Sequence, residues 1–388
     1  MTFRIRSIVL LFQLLAAAAA AGAQTTAAPS TAAAPSLATN ISRLADLDYR
    51  TRMNAARLIR RAPAAAAVPA LKAAVLDSKD EFVRYRALVL LTGFEDRDTA
   101  GMARSLISDH NDRVREVAYR WLELHPDVGL APTLLASLAK EQAEFVRPAL
   151  VRALAAIGTD PAVRRALIAE AGRGLDFFRI GVIDAFGQAR AAWAVPTLIE
   201  ITAIDGPLRD DAVLALGRIG DPKALPIITA LPATPPELGL SVQAARCMLG
   251  DDCTARLAAL SEGVKSRVAR PEAVLAGVTG LGAIAATSDA GLAVLADLLG
   301  SANVHDQAEI GLGGAALRNP AHFLKWIAGV PEAQRAALIE GLRDAFERYE
   351  EDFAEEQFFA ATRAAYWAAA DGSASRMLMA SLIDKLDF

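Results

Sequence analysis

An apolar triplet spaced i, i+4, i+8 recurs nine times along this chain, at intervals of 30 to 33 residues. The triplets are Thr51/Ala55/Ile59, Val83/Ala87/Leu91, Val114/Ala118/Leu122, Val146/Leu150/Leu154, Phe178/Val182/Phe186, Leu208/Ala212/Leu216, Ser241/Ala245/Leu249, Ala273/Gly277/Leu281 and Val304/Ala308/Leu312. Each puts three small or apolar side chains on one face of a helix. A single such helix cannot bury its stripe alone, so repetition at this period predicts stacked units sharing one continuous core, an α-solenoid.

Before each triplet lies a shorter apolar run, such as VPALKAAVL from Val68, APTLLASLAK from Ala131 and VPTLIEIT from Val195. Every unit therefore reads as a helical hairpin. Pro69, Pro132, Pro196 and Pro226 fall near the starts of the first helices, where a missing N–H costs nothing. Asp80, Asn111, Glu144, Asp176 and Asp205 precede the second helices and are expected to cap them. Gly158, Gly187, Gly217, Gly250, Gly282 and Gly313 stand at or just past the stripes' ends and are expected as left-handed C-caps.

A charged position shares the period. The residue after the first stripe member is Arg52, Arg84, Arg115, Arg147, Arg179 and Arg209, then Val242, Val274 and His305. Guanidiniums stacked at about 9–10 Å repel unless acids intervene, and Asp77, Asp109, Asp112, Asp176 and Asp211 are at hand. The phrase D-x-x-V-R-x-x-A-x-x-A-L-G, fullest in LRDDAVLALGRIGD at 208–221 and DEFVRYRALVLL at 80–91, resembles HEAT repeats of the short bacterial kind also found in phycobilisome lyases. The resemblance covers residues 41–330. It implies an all-α, right-handed superhelix of about nine hairpins, with first helices convex and second helices concave, and a ladder in which each Arg pairs with an Asp of a neighbouring unit. An Arg face that binds an anion is the alternative reading of those six residues.

Residues one turn off the stripe should line the concave wall, roughly 80–90 Å long for nine units: Arg57, Tyr85, Arg86, Glu116, Arg120, Arg152, Asp184 and Asp210. Residues 231–240, LPATPPELGL, interrupt the rhythm either as a longer loop or as a hinge between two arms. From 331 to 388 the period is lost, as expected of a helical C-terminal cap covering the last apolar face. There Phe346, Tyr349 and Phe353 are read as core. The acids Glu347, Glu350, Glu351, Asp352, Glu355 and Glu356 are read as a solvated helix face.

Composition adds compartment. Arg4 and Arg6, the apolar stretch from Ile8 to Leu15 and Ala21-Gly22-Ala23 have the form of a cleaved secretory signal over 1–23, with an uncleaved anchor as the alternative. Residues 24–40, QTTAAPSTAAAPSLATN, read as a disordered linker. No Cys lies near the cleavage site, which argues against a lipoprotein, so a periplasmic or secreted protein with no membrane span after cleavage is expected. Losing Arg4 and Arg6 moves the formal charge from −4 to −6, a poor match for nucleic acid or anionic lipid. Cys247 and Cys253 flank MLGDD; in an exported protein the pair reads as a disulfide, with two separate thiols or a redox pair as alternatives.

The four histidines, His110, His125, His305 and His322, form no HExxH and none precedes Glu, so the His-Glu di-iron site of the deoxyhypusine hydroxylases built from such repeats has no counterpart. Catalytic, metal and cofactor-binding residues are therefore none, and the expected function is a non-catalytic scaffold for a protein or an extended peptide. A metal- or cofactor-dependent enzyme related to HEAT-repeat lyases or hydroxylases, a structural spacer and an anion-binding module are the competing readings.

Overall fold

The computed structural model describes residues 36–386 other than 95, 97, 205, 232–235, 267–270 and 348–352. The expected signal (1–23), most of the linker, the cap Asp205, much of the 231–240 segment, and Tyr349, Glu350, Glu351 and Asp352 lie outside the described residues. The rest of the chain forms one contact unit, Ser36–Phe388.

Among the described residues every regular element is helical, and nine hairpins follow one another. They are α1 (Leu37–Ser42) with α2 (Tyr49–Arg60), α3 (Ala64–Asp77) with α4 (Glu81–Thr92), and α5 (Thr99–Leu106) with α6 (Asp112–Leu124). Next come α7 (Ala131–Leu138) with α8 (Val146–Ala156), α9 (Pro161–Ala171) with α10 (Asp176–Gln188), and α11 (Val195–Ile201) with α12 (Pro207–Ile219). The last three are α13 (Ala224–Ala230) with α14 (Pro236–Met248), α15 (Cys253–Lys265) with α16 (Pro271–Ala285), and α17 (Asp289–Leu299) with α18 (His305–Arg318). The chain ends in α19 (Pro320–Gly329), α20 (Glu332–Phe346), α21 (Phe353–Ala368) and α22 (Ala374–Lys385).

The stripe residues are the core of this solenoid: they are buried except for Thr51, Phe178 and Leu249, which are half-buried. Each second helix packs on the next, from α4 through α18, whereas the first helices pack mainly on their own hairpin partner. The more closely packed layer is the inside of the curve, so the second helices line the concave side.

Glycine sets that close spacing, and here the expected C-caps are corrected. Gly187, Gly217, Gly282 and Gly313 lie within helices. A Cβ on Gly187 would come 3.0 Å from Ala215 Cα, and one on Gly217 would come 2.8 Å from Ala245 Cα. Gly187, Gly217 and Gly282 are small because a neighbouring backbone occupies the space. Gly158 likewise clears room for the Trp193 ring, 2.9 Å from where its Cβ would stand. Of the six, Gly250 alone is left-handed, at φ 86°, where it turns the chain between Cys247 and Cys253. Those cysteines form a disulfide with Cα atoms 4.1 Å apart.

Other local expectations divide. Asp80 accepts from the N–H groups of Phe82 and Val83 at 2.9 and 3.0 Å, and Asn111 caps α6 through Arg113 and Val114. Glu144 and Asp176 do not cap: Phe145 and Leu175 take the N-cap positions without side-chain bonds. The linker ends earlier than expected, because Ser36 caps α1 and Leu37 and Ile41, one turn apart, both pack on the core. At the other end α20 carries a further stripe, Leu338/Leu342/Phe346, all buried, and packs on α18 as one more inner helix.

Candidate functional site

The arginine ladder turns inward on the protein's own backbone. Arg84 Nε donates to the Val75 carbonyl at the end of α3 at 2.9 Å, while its two terminal nitrogens grip Asp109 of the next hairpin at 3.0 and 2.5 Å. Arg115 holds Glu141 through two bonds of 2.9 and 3.0 Å and donates to the Asp109 carbonyl. Arg147 donates to the carbonyls of Leu138 and Glu141, both at 2.9 Å, and pairs with Glu170. Arg52, Arg179 and Arg209 donate to the carbonyls of Asp46, Ala171 and Thr202.

Each guanidinium thus takes up carbonyls left open at a first-helix end or in the loop after it, where a cation also suits the helix dipole. The hydrogen bonds to Asp109 and Glu141 raise the Arg84 and Arg115 pKa values. Burial pushes the Asp109 carboxyl up, but Arg84 and the Asn111 N–H hold it below its ordinary value. Of the acids expected in this layer, Asp109 pairs across hairpins and Asp176 pairs with Arg179 of its own helix at 3.0 Å. Asp112 acts on Arg115 through its charge, and the carboxylates paired with Arg115 and Arg147 are Glu141 and Glu170 rather than aspartates. His305 takes the same role after the arginines cease: its Nδ1 lies 2.6 Å from the Leu299 carbonyl, at the end of α17. That carbonyl, with Glu309 and Asp306 nearby, raises the His305 pKa.

The eight residues expected on the concave wall fall into three groups. Arg57, Tyr85 and Arg86 are absorbed locally: Arg57 donates to Asn54 at 2.7 Å, Tyr85 packs on the core, and Arg86 reaches back to the Leu44 carbonyl at 2.7 Å. Glu116 and Arg120 lie together on α6, 3.9 Å apart, and the Arg120 guanidinium stands 5.3 Å over the ring of Phe353. Arg152, Asp184 and Asp210 belong to a charged stretch across α8, α10 and α12. Arg152 pairs with Glu123 at 3.0 Å, Asp184 with Arg218 at 2.5 Å, and Asp210 accepts from the buried Ser241 hydroxyl.

That stretch is electrostatically coupled. Burial raises the Asp184 pKa, but Arg218, Arg318 from α18, and Arg152 bring it below its ordinary value. Asp211, without a cation of its own, is pushed up to about 6 by burial and by Asp184 and Asp210. Asp184 still keeps 32% of its side chain open to solvent. Among the described residues no group of three or more His, Cys, Asp or Glu is gathered as a metal would require.

The other end of the concave face is filled by the chain itself. Helix α21 packs on α4 as well as on α18 and α19. Glu356 is fully buried and pairs with Arg60 of α2 at 2.7 Å, and Arg60 also lies 4.5 Å over the Phe359 ring. The solvated face expected for Glu355 and Glu356 is therefore corrected: both are buried, because α21 meets the first hairpins as well as the last. Phe346 and Phe353 are buried as expected, with Phe353 in the core of the early hairpins. Arg60, Thr92, Gly93 and Glu356 were missed, being brought together only by a return across 296 residues.

Residues 75–155 match the family model described as HEAT repeats. That segment of the chain carries HEAT repeats. The same hairpin continues on both sides of the matched segment, giving an all-α solenoid. No curated protein matches it significantly. Among solved structures, an engineered protein from a structural genomics consortium shares 14% identity at a TM-score of 0.34, covering 91% of this chain and 99% of its own. The complex of CpcE and CpcF of phycocyanin lyase from Nostoc sp. PCC7120 shares 17% at a TM-score of 0.28, covering 82% and 97%. HEAT repeats of this kind present an extended concave surface suited to protein partners.

Proposed function

We propose that this HEAT-repeat chain is a non-catalytic interaction scaffold of the periplasm or cell envelope, which receives a protein or an extended peptide on its concave wall. One observation carries the reading: the charged stretch of Arg152, Asp184, Asp210 and Arg218 lies on the inner layer, held in position by its partners yet partly open to solvent. Charges fixed by neighbours cost little further ordering when a partner docks, which favours a specific complex. The ladder arginines are engaged by carbonyls and carboxylates, which speaks against an anion-binding face. The secretory signal in the sequence supports export, and no described helix is long and apolar enough to cross a membrane. The acidic balance disfavours nucleic acid as a ligand.

Affinity capture of the tagged mature protein from its native envelope fraction, with metal analysis of the eluate, tests this. A stoichiometric protein partner that is lost on Asp184→Arg with Arg152→Glu, at unchanged helical circular dichroism, is the expected result. A metal-loaded chain without a partner would instead favour an enzyme.

A further inference from the structure

The two faces of α21 differ in kind. Toward the last helices it presents Phe358, whose ring meets Phe346 at 5.0 Å and Phe323 at 6.1 Å between centroids. Toward the first hairpins it presents Phe353, Glu356, Phe359 and Arg363, a stripe at i, i+3, i+6 and i+10. Arg363 donates to the Gly93 carbonyl at 2.8 Å, and Gln357 to Thr92 at 3.3 Å.

The receiving surface is shaped for this stripe. A Cβ on Gly93 would stand 2.1 Å from Glu356 Oε1, so the missing side chain is the recess that admits the carboxylate. Arg60 meets that carboxylate and the Phe359 ring, while Arg120 covers the Phe353 ring. The fit is nevertheless incomplete. Arg60 Nη1 is buried with no hydrogen-bond partner, and Glu356 Oε1 is met only by the Arg363 guanidinium at 3.6 Å, beyond hydrogen-bond distance.

A buried ion pair with unfilled bonds recovers little beyond its desolvation cost, and water compensates both ions once they separate. Of the α21 aromatics only Phe353 joins the apolar cluster of the first hairpins, whereas Phe358 and Phe359 both belong to that of the last helices, and apolar contacts have no such substitute in water. When α21 parts from one of its two neighbours, it therefore parts from the first hairpins and stays with α19 and α20. The vacated surface keeps two guanidiniums and the glycine recess.

We infer that the ends of α2, α4 and α6 form a receptor for an amphipathic helix bearing aromatic, acidic and aromatic residues at i, i+3 and i+6, occupied in cis by α21 and open in trans to a partner helix of the same pattern. The inference deepens the scaffold reading by naming the partner's chemistry, and rests on it only for the existence of a natural partner. Helix-in-groove recognition read through such spaced anchors is a general mode of binding.

The probe is a labelled peptide of residues 353–368, FAEEQFFAATRAAYWA, titrated into the full chain by fluorescence anisotropy. Against the chain variant Phe353→Ala with Glu356→Gln, whose own α21 is weakened, saturable binding at least about tenfold tighter than to the wild type is expected. Replacing the peptide's acid equivalent to Glu356 by Gln, or Arg60→Met in the variant chain, should each weaken it by about tenfold or more. Should the double variant lose helical content, Arg363→Ala, which removes the contacts of α21 with the Gly93 carbonyl and the Phe94 ring, takes its place in the same titration. Equal binding to wild type and variant, binding indifferent to the peptide's acid, or no binding would overturn the receptor. Since the titration uses only purified chain and peptide, it can fail while envelope capture succeeds, and the reverse.

Discussion

The first six hairpins and the last three solve one problem by different chemistry. In both halves each hairpin must hold its neighbour in register while presenting an inner helix to the concave side. The early half uses directional polar contacts, with six arginines reaching from second helices to first-helix carbonyls and on to acids such as Asp109, Glu141 and Glu170. The late half lacks the arginines and keeps the close packing of small residues that Gly187 and Gly217 already provide beside the ladder, with His305 as its one carbonyl-binding side chain at the ladder position. On α16 a Cβ at Gly280 would lie 2.5 Å from the Ala244 side chain of α14, and one at Gly282 would lie 3.1 Å from the Gly311 carbonyl of α18. The core divides at the same place: one buried cluster runs from Leu44 to Ala245 and takes in Phe353, and the second runs from Leu214 to Leu386. A repeat phrase can thus lose its most visible residue and keep its architecture, provided another contact fixes the spacing.

The largest effect should come from removing a ladder member. Arg84→Ala leaves Asp109 a buried carboxylate without its cation and the Val75 carbonyl without its donor, at a cost of about 3–5 kcal/mol by urea denaturation. Crowding the other half should cost somewhat less. Gly280→Val forces α16 away from α14 and should lose about 3 kcal/mol, whereas Arg84→Ala leaves that contact unchanged. Cys253→Ser opens the link between α14 and α15, inside the late half, and should cost about 2–3 kcal/mol measured without reductant.

The smallest effect concerns pH. The Asp211 pKa is raised to about 6 in the folded chain, against 3.8 as its ordinary value. The folded state therefore holds the extra proton between those values, and stability falls as pH rises through that window. Asp211→Asn should remove this dependence and raise stability at pH 7 by about 1–2 kcal/mol, screening included. Asp109 and Asp184, both lowered, act in the opposite sense: their contribution is present above the ordinary carboxylate value and is lost as pH falls through their folded pKa values.

What was legible in the sequence follows from locality. The triplets, hairpins and ladder arginines repeat within 33 residues, so Leu154 or Ala212 could be placed in the core and Arg147 beside it without a structure. The acids answering those arginines could not be read as well, since Asp109, Glu141 and Glu170 follow their arginines by 25, 26 and 23 residues, the first two in loops and Glu170 within α9. Glycines inside helices were taken for stops because their need is visible only with the neighbouring backbone in place, as for Gly217 against Ala245. The burial of Glu356 was the least legible feature. Its sequence neighbours are acidic, and the partner that explains it, Arg60, lies 296 residues away.

The contrast between the halves is tested most directly by amide hydrogen exchange, resolved to single hairpins, on Arg84→Ala and Gly280→Val under native conditions. The account predicts that Arg84→Ala speeds exchange in α2 to α6 while α16 and α18 stay protected, and that Gly280→Val does the converse. Equal loss of protection across both halves in either variant, or unchanged exchange around Arg84, would contradict it.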